Sequence, residues 1–147
     1  MTRWLVSISA TLCRWNGQYE MIAVERIFIG IGALLAFTAV GLGAFGAHAL
    51  AASFDQQSVR IYETGVQYQL VHALGLIIVG VTMRARPSVS ALKFSGWAML
   101  SGIVLFSGSL YMLVLFDMSG AGMVAPFGGG MLLISWLCLG YWAFREG

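Results

Sequence analysis

The stretch IFIGIGALLAFTAVGLGAFGAHALAASF, from Ile27 to Phe54, decides the fold because it contains no Asp, Glu, Lys or Arg. A membrane-spanning helix needs about 20 predominantly apolar residues. Three more uncharged runs follow, at Gly65 to Met83, Phe94 to Phe116 and Met118 to Phe144. The runs are continuous and do not alternate with polar residues, which favours helices and excludes a membrane β-barrel.

We therefore predict an all-α integral membrane protein, a four-transmembrane-helix bundle in one domain over residues 21–147. The helices are expected at about 27–50, 64–83, 92–116 and 124–144. Composition agrees, since 59% of the residues are hydrophobic and 10% are charged, against about 25% charged in soluble proteins. The expected environment is the lipid bilayer. A net charge of +2 without a basic patch excludes a nucleic-acid partner.

The basic residues predict the orientation. Of the eight Lys and Arg residues, all but Arg60 precede helix 1, lie between helices 2 and 3, or follow helix 4. The residues on this side are Arg3, Arg14, Arg26, Arg84, Arg86, Lys93 and Arg145. By the positive-inside rule, both termini and the middle loop are cytoplasmic.

Residues 1–20 form a separate N-terminal extension with a basic start and a short apolar stretch from Trp4 to Cys13. No convincing signal-peptide cleavage site follows, and Met21 stands directly before the membrane domain. We interpret the extension as a segment that need not be part of the native protein. The alternative is a short interfacial helix on the cytoplasmic leaflet.

Small residues predict where helix 1 packs. Ala39, Gly43 and Ala47 follow one another at four-residue spacing. Such a stripe allows the backbone of another helix to approach closely.

Polar residues interrupt the apolar sequence in two segments, GAFGAHAL (Gly43 to Leu50) and YETGVQYQLVHALGL (Tyr62 to Leu76). Polar groups within a membrane span are costly and need partners. On helix 2, Glu63 and Gln67 share one face, and His72 lies on a nearly opposite face. We therefore expect protein to surround the outer half of helix 2.

A catalytic interpretation would pair His48 or His72 with Glu63 as a general base. Because no Ser or Cys stands in a recognisable nucleophile motif, we assign no catalytic residue. A haem or metal would use the two histidines, but their expected depths differ and the sequence has no paired metal-ligand spacing. We assign no metal and no cofactor.

The preferred interpretation is an interhelical hydrogen-bond network, with bonds of about 0.6–2 kcal/mol each. Glu63 would pair with Arg60 or His48, and Gln67 and His72 would reach across to Ser107, Ser109 or Tyr111. The candidate cluster, functional or structural, is His48, Arg60, Glu63, Gln67, Gln69, His72, Ser107 and Ser109.

These two segments, together with FSGSLY (Phe106 to Tyr111) and APFGGG (Ala125 to Gly130), resemble the YgdD/YwdK-like family of small inner-membrane proteins. The resemblance runs from about Met21 to the C-terminus. It implies a four-span protein of the bacterial inner (plasma) membrane. The family is of uncharacterised function, so the resemblance brings no established activity.

Two functional hypotheses follow. The first is a non-catalytic binding, assembly or accessory subunit that forms a homo-oligomer or joins a larger membrane complex. The alternative is a proton-coupled or small-solute transporter that uses the polar cluster at the outer half of helices 1 and 2.

Overall fold

The computed structural model describes residues 2–50, 52–85 and 90–146, with side-chain environments from Val24 onward within these ranges except at residues 49 and 146. The helices are α1 (Thr2–Phe45), α2 (Gln56–Ala85), α3 (Ser90–Leu115) and α4 (Ala125–Glu146), with a π-helical turn at Gly46–Leu50 and a 3-10 turn at Ser119–Met123. Within the described residues, four helices are long and apolar enough to cross a membrane. This confirms the predicted all-α membrane architecture. Residues 2–20 are helical and continuous with the first span.

The second helix begins at Gln56, about two turns before the predicted start, because Asp55 caps it. The Asp55 Oδ1 atom accepts hydrogen bonds from the backbone N–H groups of Gln57 at 2.8 Å and Ser58 at 3.1 Å, and Oδ2 accepts one from the Ser58 hydroxyl at 2.7 Å. A side chain in this position satisfies donors that the first helical turn leaves free. The bond from the Ser58 hydroxyl and those from the two N–H groups lower the pKa of Asp55.

Successive helices pack against each other, α1 on α2, α2 on α3 and α3 on α4. The largest apolar core contains Phe28, Leu76, Val79, Met83, Leu92, Met99, Ile103 and Leu132. The Phe28 ring meets the edge of Trp97 at a centroid distance of 5.3 Å, which brings α1 against α3 as well. Because lipid is as apolar as these side chains, close packing holds the helices together more than the hydrophobic effect does.

Glycines bring the backbones of neighbouring helices into contact. A Cβ atom added to Gly32 of α1 would lie 2.9 Å from the carbonyl oxygen of Ala73 in α2. One added to Gly80 of α2 would lie 2.9 Å from the carbonyl oxygen of Glu25 in α1. On α4, a Cβ on Gly128 would meet the backbone nitrogen of Phe106. Small-residue contacts of this kind are typical of membrane helix pairs.

The predicted stripe on α1 lies partly at this interface. Ala39 is fully buried, Gly43 is half-buried with Val66 nearby, and Ala47 is exposed. The buried positions Glu25, Phe28, Gly32, Ala39 and Gly46 are separated by three, four, seven and seven residues. A left-handed helix pair repeats every 3.5 residues, so a constant spacing of four drifts out of the interface by Ala47.

Candidate functional site

A single buried amide side chain joins three helices of the bundle. Gln69 of α2 donates from Nε2 to the carbonyl oxygen of Leu35 and to the hydroxyl of Thr38 in α1, both at 2.9 Å. Its Oε1 accepts a hydrogen bond from the Tyr111 hydroxyl of α3, also at 2.9 Å. Both N–H donors and the carbonyl oxygen of the amide therefore have partners. Buried polar groups are normally hydrogen-bonded, and the Gln69 side chain is only 5% exposed. We call Gln69, Thr38, Leu35 and Tyr111 the amide cluster.

Two tyrosines support this cluster toward the turn between α1 and α2. The Tyr62 ring is fully buried, and its hydroxyl donates to the carbonyl oxygen of Leu42 in α1 at 2.9 Å. The rings of Tyr62 and Tyr111 lie 5.3 Å apart, a typical aromatic contact. Gly46 leaves room for Tyr62, since a Cβ there would lie 2.7 Å from the ring. Gly46 in the segment GAFGAHAL therefore allows the Tyr62 ring to pack against this turn.

The buried histidine has a separate environment. His72 is 7% exposed, and its Nδ1 lies 2.7 Å from the carbonyl oxygen of Tyr68. Its ring stacks on that of Tyr68 and meets Trp136 of α4 edge-on at 6.0 Å. His72 thus contacts a cavity between α2, α3 and α4 and does not join the amide cluster.

The structure separates the candidate residues into two groups. Gln69, His72, Ser107 and Ser109 are buried within the bundle, whereas His48, Arg60, Glu63 and Gln67 are exposed. The expectation that protein encloses the outer half of α2 therefore fails for a single subunit. Residues 63 and 67 lie on the face of α2 opposite residue 69, because each residue turns the helix by about 100°.

Neither buried serine of the candidate cluster bonds to the partner expected for it. Ser109 donates to the carbonyl oxygen of Phe106 in its own helix at 2.8 Å. The Ser107 hydroxyl has no hydrogen-bond partner among the residues that the structure describes. Tyr111, named as one alternative partner, bonds to Gln69 instead of Gln67 or His72.

Sequence reasoning missed three polar contacts between helices. Thr38 was not singled out, since one threonine in an apolar run carries no distinctive signal. Ser95 and Ser135 form reciprocal bonds between α3 and α4, each hydroxyl donating to the other's carbonyl oxygen at 2.9 and 2.8 Å. Glu25 of α1 pairs with Arg84 of α2 at 3.4 Å, near the ends where the termini lie. Opposite charges at neighbouring helix ends were the available signal for that pair.

The amide cluster is built from neutral groups, which suits it to holding helices in one arrangement. Its bonds are worth about 0.6 kcal/mol each on average in membrane proteins. Over the described residues, no group of three or more His, Cys, Asp or Glu could hold a metal ion. The two histidines are separated by environment, since His48 is exposed and His72 is buried.

The sequence of this chain is similar to that of known membrane proteins. The model of a family described as "Protein of unknown function (DUF423)" matches residues 42–129. YwdK, a UPF0382 membrane protein of Bacillus subtilis (strain 168), is 43% identical over 114 residues, covering 78% of this chain and 93% of the relative. The UPF0382 membrane protein SAB0533 of Staphylococcus aureus (strain bovine RF122 / ET3-1) is 40% identical, with 78% and 92% covered.

A third relative, the UPF0382 membrane protein SSP2132 of Staphylococcus saprophyticus, is 38% identical over 82% of this chain and 98% of its own length. No solved structure matches the chain. The resemblance drawn from the sequence segments is confirmed, because the matched relatives include YwdK. With more than half of its length matched by the family model and most of each relative covered, the chain belongs to the DUF423 family and is a multi-pass membrane protein.

Proposed function

We propose that the protein is a non-catalytic membrane subunit that assembles with a second copy of itself through the exposed face of α2. The observation that carries this proposal is the exposure of Glu63 and Gln67 within a helix of membrane-spanning character. Ionisable side chains in a span cost up to about 2.5–3.5 kcal/mol at the bilayer centre and are rarely directed at lipid. A covering partner removes that cost.

The exposed faces of the outer helices differ from that of α2. On α1, Leu34 and Phe37 are exposed, and on α4, Leu133 and Leu137 are exposed. Apolar side chains of this kind suit direct contact with lipid. The polar residues Glu63 and Gln67 on the exposed face of α2, in addition to the exposed His48 at the end of the first span, support a protein neighbour for α2.

The exposed face of α2 also has the spacing of a helix-pairing surface. Its members alternate at intervals of three and four residues, and we call them the α2 seam: Thr64, Gln67, Val71, Leu74, Ile78 and Val81. The four apolar members are each about half exposed. A repeat of 3.5 residues keeps one stripe facing a partner helix in a left-handed pair.

Charge and hydrogen-bonding capacity argue for a second copy as the partner. Arg60 and Glu63 lie beside the seam, one turn apart and with opposite charge. In a parallel pair about a two-fold axis, equivalent residues meet, so the Arg60 and Glu63 side chains of both copies lie at the same level and each arginine is within one helical turn of the partner's glutamate. Gln67 both donates and accepts hydrogen bonds, so its amide can pair with its own copy. The surface is therefore self-complementary.

The alternative function, transport through the polar cluster, has less support than self-association. Glu63 faces away from the bundle core, and the amide cluster around Gln69 contains neutral groups. A proton relay inside one subunit would need titratable groups in succession along a path.

Charge reversal tests self-association. Arg60→Glu and Glu63→Arg are prepared singly, each with a different fluorophore, and dimerisation is measured by energy transfer in liposomes at decreasing protein density. Each variant alone carries like charges at the interface, and its dimer Kd should rise about tenfold, or about 1.4 kcal/mol. Mixed together, the two variants have opposite charges only across the interface and should pair more tightly than either does alone.

Asp117→Arg serves as the control, because Asp117 is exposed at the same end of the bundle but lies outside the seam. Its dimerisation should match that of the unmodified protein. A protein that stays monomeric at every density, or a mixture no tighter than the single variants, would refute the proposal.

A further inference from the structure

A cavity of about 380 Å³ lies between α2, α3 and α4, partly open to the outside of the bundle. It is lined by Tyr68 and His72 from α2, Phe106 from α3, and Pro126, Leu132 and Trp136 from α4, among others. Ligand pockets in proteins measure about 300–1,000 Å³ and combine apolar walls with few polar groups. The size and lining of this cavity meet that description.

Four of the nine described residues that line the cavity carry an aromatic ring: Tyr68, His72, Phe106 and Trp136. The rings of Tyr68 and Phe106 lie 4.5 Å apart, and the Tyr68 and His72 rings are stacked at 5.6 Å. Trp136 approaches His72 edge-on at 6.0 Å from the α4 side. Aromatic side chains form offset-stacked and edge-to-face contacts with other rings, so these walls suit a ligand that contains a flat ring.

His72 supplies one directed polar group. The carbonyl oxygen of Tyr68 can only accept, so the Nδ1 atom of His72 at 2.7 Å carries the hydrogen. In the neutral ring, Nε2 is then a hydrogen-bond acceptor. Among the described residues the His72 ring makes no second hydrogen bond. The Nε2 atom is not fully enclosed, and His72 lines the cavity, so a ligand there that donates a hydrogen bond would give this acceptor a partner.

We propose that this cavity binds an apolar aromatic molecule with one hydroxyl group, of the phenol or hydroquinone class, with His72 Nε2 accepting the hydroxyl hydrogen. The ligand would enter laterally from the bilayer or from the membrane surface, since the cavity is partly open. This site is separate from the α2 seam. Charge reversal at Arg60 or Glu63 should therefore leave binding unchanged, whatever the outcome for dimerisation.

Three probes of similar size isolate the hydrogen bond. Equilibrium dialysis measures the binding of 1-naphthol, 1-methoxynaphthalene and naphthalene to the protein in lipid nanodiscs, with empty nanodiscs as the baseline for partition into lipid. We expect saturable binding of all three, with 1-naphthol about three- to tenfold tighter than the other two, as one neutral hydrogen bond allows.

Two variants locate the site. His72→Phe keeps a ring against Tyr68 and Trp136 but removes the acceptor, so it should abolish the preference for 1-naphthol and leave naphthalene binding unchanged. Gly130 lines the cavity, and a Cβ atom there would meet nothing within 4 Å. Gly130→Leu should therefore fill the cavity and remove the binding of all three probes without disturbing the fold, which circular dichroism checks.

Several results would overturn the proposal. Equal binding of 1-naphthol and 1-methoxynaphthalene, or an unchanged preference in His72→Phe, would show that Nε2 does not accept the bond. Binding indistinguishable from that of empty nanodiscs would show that lipid chains occupy the cavity. A lipid hydroxyl is the other source of the same chemistry. Saturable binding of 1-decanol that 1-naphthol cannot displace would show that the cavity binds a lipid hydroxyl and not an aromatic ligand.

Discussion

Gln69→Met tests whether the amide cluster holds the bundle together. Methionine keeps the length and flexibility of glutamine but has no strong donor or acceptor. The change removes three hydrogen bonds, to Leu35, Thr38 and Tyr111. At about 0.6 kcal/mol for each bond in a membrane protein, they sum to about 2 kcal/mol. The Tyr111 hydroxyl would also lose its partner, which adds about 1 kcal/mol.

The free energy of unfolding is measured by SDS titration of the protein in mild detergent, followed by circular dichroism and tryptophan fluorescence. Gln69→Met should lower it by about 2–3 kcal/mol. Tyr111→Phe removes only the hydroxyl, and the double variant completes a mutant cycle. Because the two side chains bond directly at 2.9 Å, the cycle should return a coupling of about 0.6–1.7 kcal/mol.

Gln67→Met is the matched control, since Gln67 is the same residue type on the same helix but exposed. At dilutions where the protein is monomeric in detergent, it should change the free energy of unfolding by less than about 0.5 kcal/mol. Equal effects of the Gln67 and Gln69 substitutions would refute the reasoning. So would effects of Gln69→Met and Tyr111→Phe that add without coupling.

Two further outcomes are expected. Gly128→Ala should lower the free energy of unfolding by about 1–3 kcal/mol, because its Cβ atom would meet the Phe106 backbone. Gly130→Ala has open space at its Cβ atom and should cause no loss. Equal losses for the two variants in the same SDS titration would contradict the close approach of α3 and α4. Hydrogen bonds from the first turn of α2 lower the pKa of Asp55 from 3.8. The ionised Asp55 therefore stabilises the folded protein fully above pH 3.8, and this contribution is lost as pH falls through the lower pKa of the folded state. Asp55→Asn keeps a cap that does not titrate, so the Tm of the unmodified protein should fall more steeply below about pH 4 than that of the variant, and parallel Tm curves would argue against the cap.

The membrane architecture was predictable from the sequence because length and hydropathy leave few alternatives. Four uncharged runs of membrane-spanning length admit only helices, whose backbone groups are satisfied within each segment. The resemblance in segments such as GAFGAHAL was also visible, and the family match confirms it. The start of α2 was placed too late, since apolar length marks a span but a capping residue such as Asp55 determines where the helix begins.

The partners of the polar residues were decided by the tertiary structure. The sequence established that Gln69, Gln67 and Glu63 lie on one helix and that their faces differ. It could not determine which face meets α1 and α3, because a helix that is apolar nearly all round has no strong amphipathic signal. Backbone approach at Gly32 and Gly80 turns Gln69 inward to Thr38 and Tyr111. The same rotation leaves Glu63 and Gln67 exposed, because a rigid helix that buries one face must present the opposite one.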